Sequence, residues 1–169
     1  EEVRGRAEHQ FYEAANMTDA IAALTVLVHT GAPEQHHALT AFYERWREDP
    51  LVLDKWFSIQ ATSPIPGTLD SVRRLTAHSD FTLRNPNRVR ALVGAFCSAN
   101  PVRFHEVSGE GYAFLGEHVL ELDRLNPQVA ARLLTPLTRW RRYDEARQGL
   151  MRAELERILE TASLSRDVR

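Results

Sequence analysis

Four times in 169 residues an Asp or Asn is followed directly by proline: Asp49-Pro50, Asn85-Pro86, Asn100-Pro101 and Asn126-Pro127. Each pair is a helix start. The short polar side chain accepts from the first free backbone N–H groups, and proline suits the first helical position because its missing N–H has no partner there anyway. Apolar residues at helical spacing follow the pairs, and no stretch alternates apolar and polar residues between hairpin turns. The chain is therefore predicted to be all-α. Pro50, Pro86 and Pro127 are spaced near the period of HEAT or armadillo units, about 40 residues, although no residue-level repeat accompanies that spacing. Helices of this length with short loops predict a superhelical stack of antiparallel pairs, HEAT- or armadillo-like, with a concave side open to a partner.

Taken in order, residues 8–16 read as the end of a helix carrying Phe11, Ala14 and Ala15. Asn16 or Thr18 caps a second helix with Ile21, Leu24 and Val28 as its stripe, ended by Gly31. Pro33 is expected to open a third, with Leu39, Phe42 and Trp46 on one face. The helix from Pro50 presents Leu53, Trp56, Phe57 and Gln60; residues 63–67 are a Pro/Gly loop, and 68–78 a short helix. The stretch from Asn85 to His105 reads as the centre of the fold, with Val89, Leu92, Val93 and Phe96 as a buried stripe. Arg88 and Arg90 sit in its first turns, where cations oppose the helix dipole. Solvent, a salt bridge to a neighbouring helix, or a surface facing an anion would each account for them. Residues 108–111 read as a loop, followed by a helix on Leu115, Val119 and Leu122. The last helix is expected from about Asp144 to Ala162, with Met151, Leu155, Ile158 and Leu159 as its stripe, and residues 163–169 as a possible further start.

The length suits one domain over 1–169. With 43% hydrophobic and 26% charged residues the composition is that of an ordinary globular protein, and a net charge of −2 gives no basic field for nucleic acid. No apolar run approaches the roughly 20 residues that span a bilayer. The first residues are polar and there is no initiator Met, which reads as a piece excised from something longer. Cys97, the one cysteine, lies in GAFCSA and reads as a packed thiol, consistent with a reducing compartment and a cytoplasmic location. Zinc ligands in H-E-x-x-H are absent: His105-Glu106 is followed by Val107-Ser108-Gly109, and His36-His37 point to different sides of a helix. There is no nucleophile elbow, phosphate loop or dinucleotide fingerprint. The residues alone thus predict a binding module with no catalytic residue, metal ligand or cofactor of its own. A free-standing helical-repeat scaffold holding a protein partner on its concave face is one form of that reading.

Three segments carry a family resemblance: DKWFSIQATSP (54–64), FTLRNPNRVRALVGAF (81–96) and NPQVAARLLTPLTRWRRYDEARQGLM (126–151). They resemble the C-terminal helical domain of bacterial aminopeptidase N, a zinc metallopeptidase family, and NMTDAIAAL (16–24) and SGEGYAFL (108–115) extend the match. The resemblance implies a domain that packs on the catalytic and N-terminal domains of the same polypeptide. There it would enclose the active-site chamber and restrict access to short peptides. It implies that the catalytic zinc belongs to the parent enzyme, in parts this chain lacks. It places Arg90 of NPNRVR and Arg132 of NPQVAAR on the chamber wall, where each would contact the C-terminal side of a bound peptide. Arg88 is as readily structural.

Overall fold

The structure, a computed structural model, describes residues 2–169; Glu1, the first residue of the polar opening, lies outside the described residues. The opening pair of helices is α1 (Glu2–Glu13) and α2 (Met17–His29), packed along each other. Helix α1 stops before Ala14 and Ala15, which form the connection instead of the predicted last turn. Asn16 caps α2 by accepting from the Asp19 N–H at 2.9 Å. Helix α3 (Gln35–Trp46) starts two residues beyond Pro33, because Pro33 and Glu34 are used in a turn. Helix α4 (Pro50–Ala61) begins at the capping Asp49, and α5 (Thr68–Thr76) follows the Pro/Gly loop at Gly67, whose φ of 79° only glycine adopts freely.

The central helix covers 86–99 in three parts: α6 (Pro86–Val89), a π-helical turn (Arg90–Gly94) and α7 (Ala95–Ala99). Then come α8 (Pro101–Phe104), α9 (Glu110–Asp123), α10 (Pro127–Leu133), α11 (Thr135–Thr138), a 3₁₀ turn (Trp140–Arg142) and α12 (Glu145–Leu159). Among the described residues there is no strand. All four Asx-Pro pairs begin helices with the Asx side chain accepting backbone N–H groups.

One continuous core runs through these elements. Leu24 and Leu27 of α2, Phe42 of α3 and Phe57 of α4 are buried in its first half. Leu92 and Phe96 of the central helix, Phe114, Leu115 and Leu122 of α9 and Met151 of α12 are buried in its second half. Each such side chain contributes about 1.5–3 kcal/mol by leaving water. The central helix packs on α4 and α5 on one side, while α9 takes α8, α10 and α12 on the other. Phe96 joins the halves by edge-to-face contacts with Phe104 and Phe114 at 6.1 and 5.7 Å.

Three further expectations change. Glu110 and Gly111 are helical, not loop, and a Cβ on Gly111 would stand 2.4 Å from the Phe104 carbonyl oxygen, so the α8–α9 corner closes on a residue without a side chain. Leu159 faces solvent, leaving Met151 and Ile158 as the buried part of the α12 stripe. Residues 163–169 form turns, pinned when the Ser165 N–H donates to Asp123 at 2.8 Å and Leu164 and Val168 enter the core.

Candidate functional site

The two sides of the central helix differ in kind. Val89, Leu92, Val93 and Phe96 are almost wholly inaccessible, whereas Gly94 and Ala95 are half-buried and Ser98 and Ala99 exposed. The π-turn separates these sides: the Ala95 N–H reaches back five residues to the Arg90 carbonyl, fitting one extra residue into the turn. Alongside the small-residue side lies α10, started by Asn126 accepting from the Val129 N–H at 3.2 Å. Ala130 and Leu133 of α10 point into the core.

Between the two elements is a cleft of about 320 Å³. One wall is Pro86, Val89, Arg90, Gly94, Ala95, Ser98 and Ala99; the other is Val129, Arg132 and Leu133. Small residues on the first wall are what leaves the space. Its surface is predominantly apolar, and its charged members are Arg90 and Arg132. Both arginines expected to act at a common site therefore line one cleft, although they are 42 positions apart in the chain. Arg90 donates from Nη1 to Asn87 Oδ1 at 3.3 Å, and its stem runs beside Gly94. Among the described residues neither Arg90 nor Arg132 has an ion-pair partner, and both are exposed.

Arg88 is different. Its Nη1 lies 2.6 Å from Asp54 Oδ1, its guanidinium sits 5.1 Å from the Phe57 ring centroid, and it is buried. It clamps the central helix to α4. Of the explanations open for the two arginines, the interhelical salt bridge holds for Arg88 and leaves Arg90 unpaired.

A second polar cluster joins α8, α9 and α12. His105 Nδ1 and the Tyr112 hydroxyl are 2.9 Å apart, the Tyr143 ring stacks on His105 at 4.1 Å, and Arg147 Nε donates to the His105 carbonyl at 2.7 Å while pairing with Asp144. Burial, helped by the Arg147 charge, holds the His105 pKa below the usual histidine value, and burial pushes the Tyr112 phenol up to about 12. These groups are turned on one another, which makes the cluster a joint. Cys97 is buried, and burial raises its thiol well above the ordinary range, so it is packing, not a nucleophile. Among the described residues no three His, Cys, Asp or Glu side chains converge to hold a metal ion.

The cleft's small-residue wall was not singled out in the sequence. Its signal was there: Gly94, Ser98 and Ala95, Ala99 recur at i, i+4, opposite the apolar stripe. Centred on Cys97, the same letters describe only the packing of a small thiol.

Comparison with known proteins gives a consistent set of relatives. Residues 1–169 match the family described as Domain of unknown function (DUF3458_C) ARM repeats. The chain is 50% identical over 158 residues to aminopeptidase N of Caulobacter vibrioides, which takes in 94% of this chain and 18% of that protein. It is 48% identical over 159 residues to aminopeptidase N of Escherichia coli (strain K12), again 94% of this chain and 18% of that protein. Among solved structures, that of Legionella pneumophila aminopeptidase A in complex with aspartic acid superposes with a TM-score of 0.94 at 40% identity, covering 98% of this chain and 20% of that one. The chain thus spans about a fifth of the length of these relatives.

Proposed function

Because this chain belongs to the DUF3458_C family of ARM-repeat domains and is the helical domain of aminopeptidase N homologues, we propose that it is the non-catalytic C-terminal domain of a zinc-dependent aminopeptidase that removes N-terminal residues from peptides. In that role it packs on the catalytic domain, encloses the active-site chamber and restricts entry to short peptides. Arg90 and Arg132 stand on the chamber wall and take the C-terminal carboxylate of the bound peptide.

The observation that carries this reading is the pairing of two exposed guanidinium groups, neither neutralised by a carboxylate of the described residues, on one apolar cleft. A guanidinium is suited to a planar carboxylate because two of its N–H groups can donate in parallel. Leu51 and Val107 are 69% and 74% exposed, apolar surface suited to contact with the rest of a larger polypeptide. The zinc chemistry is placed in that remainder, and no zinc ligand is assigned to this chain. What this chain's residues do is hold the peptide's far end and limit its length. A reducing compartment such as the cytoplasm suits the free thiol of Cys97.

The test is reconstitution. The remaining N-terminal part of the parent is expressed separately, and hydrolysis of an alanyl-anilide and of peptides of graded length is followed as this chain is added. A stable complex with sharpened preference for short peptides is expected, and Arg90→Ala with Arg132→Ala should lower kcat/KM for peptides while leaving the anilide, which has no C-terminal carboxylate, unchanged. Failure of the two parts to associate would overturn the reading and favour a scaffold for a different protein.

A further inference from the structure

We propose that the cleft between the central helix and α10 is a side-chain pocket that selects peptides ending in an apolar residue. This rests on the reading above, in which Arg90 and Arg132 take the carboxylate, and adds a specificity that reading does not contain. A site built only to hold a carboxylate needs cations and hydrogen-bond donors. This one has an apolar lining as well: Pro86 and Ala95 on the central-helix wall and Val129 on the α10 wall keep accessible apolar surface, while Val89 and Leu133 close its floor from the core. Gly94 and Ala99 keep the central-helix wall low. A Cβ added to Gly94 would sit in ordinary contact, at 3.7 Å, with the Arg90 stem and the Val89 carbonyl, so the glycine lets the arginine stem lie close along that wall.

An amphipathic anion is the ligand that satisfies both halves at once. Its carboxylate meets the two guanidinium groups, and its apolar part displaces water from the cleft, which is favourable in proportion to the apolar area covered. The proposed role decides between a peptide residue and an acyl chain, because it already brings a peptide's C-terminus to the two arginines. At about 320 Å³ the cleft is at the small end for ligand pockets, which suits one Leu- or Phe-sized side chain with its terminal carboxylate. The peptide's last residue therefore seats in the cleft, and its preceding residues extend away from this domain.

The inference can be tested on this chain, which has a continuous core of its own, by following the backbone amide signals of Gly94, Ala95, Ala99 and Val129 in NMR titrations. Four probes separate the components: N-acetyl-Gly-Phe as the free acid, the same peptide as its C-terminal amide, N-acetyl-Gly-Gly as the free acid, and octanoate. The Phe acid should bind at the cleft. The amide should bind about tenfold or more weaker, having lost the charge-assisted contacts, and the Gly acid also about tenfold weaker, having lost the buried ring. Octanoate should be weaker than the Phe acid. Ala99→Phe, a change at an exposed position, should fill the cleft and bring the Phe acid down to the affinity of the Gly acid. Equal binding of the Phe and Gly acids, both lost in Arg90→Gln and Arg132→Gln, would overturn the apolar pocket and leave the carboxylate role intact. Octanoate binding as tightly as the Phe acid would overturn the peptide as occupant. Absence of binding by every probe would overturn both the pocket and the carboxylate role.

Discussion

Arg88 and Arg90 stand two positions apart at the start of one helix, and the helix sends them to opposite environments. Arg88 is buried against Asp54 and Phe57, with its Nε lacking a hydrogen-bond partner, while Asp54 keeps part of its surface in water. That asymmetry predicts unequal mutants. Asp54→Ala strands a buried guanidinium and should cost about 3–5 kcal/mol. Arg88→Met removes the charge, keeps an unbranched apolar stem and leaves a carboxylate that water can reach, so it should cost less than half as much. Urea unfolding of the two variants checks this, and equal losses would mean the pair is worth no more than its packing. Arg90 should behave as a surface residue: Arg90→Ala is expected to change stability by less than about 0.5 kcal/mol. Its value lies in what it can bind. The residue pattern alone does not separate the two arginines, because partner and exposure depend on α4, which reaches Arg88 from 34 positions earlier; only the family resemblance set Arg90 apart.

At the scale of the element, the Asx-Pro starts were legible because a cap is local: side chain, first N–H groups and proline lie within four residues. What the repeated dipeptide conceals is tertiary use. Asn126 serves mainly as a cap, while Asn100, fully buried, caps α8 and also donates from Nδ2 to the carbonyls of Ala61 and Ser63 at 2.9 and 2.8 Å. Asn126→Ala should cost about 1 kcal/mol. Asn100→Ala should cost about 3 kcal/mol, since two further hydrogen bonds of about 1 kcal/mol each go with the cap. Asn100→Asp should be worse still, facing two carbonyl oxygens with a carboxylate; denaturant midpoints rank the three. The apolar stripes were equally legible, being periodic, and Val89, Leu92, Val93 and Phe96 are all buried as their spacing requires. The π-turn was not, because no residue type specifies it. It is chosen when packing on α4 and α5 holds the stripe while the outward side makes room for one extra residue. The helical state of Gly111 was missed for a related reason: glycine is there because the Phe104 backbone approaches, not because the chain turns.

For the whole molecule, the buried titratable groups set the pH range over which the fold is stable. His118, on α9, has its Nδ1 2.8 Å from the Phe114 carbonyl and Glu117, Glu121 and Arg73 around it; burial outweighs the two carboxylates and lowers its pKa below 6.5. His105 is lowered too. In the unfolded chain both take up protons near pH 6.5 while the folded chain resists, so unfolding binds protons and stability falls as the pH drops from about 6.5 through the depressed folded values. On the alkaline side the sign reverses in cause but not in effect. Cys97 and Tyr112 are held protonated by burial, so the unfolded chain loses their protons first, from near 9.0 for the thiol and 10.0 for the phenol, whose folded value is about 12. Stability should therefore be flat between about pH 7 and 8.5 and decline on both sides. Melting temperatures across pH 5–11 test the shape, and two variants assign the limbs. His118→Gln should shallow the acid decline, and Cys97→Ala should delay the alkaline one from about pH 9 to about pH 10. A melting temperature that rises below pH 6.5 would mean that the histidines gain acidic partners on protonation, and the packing of α9 against its neighbours would then differ from that described here.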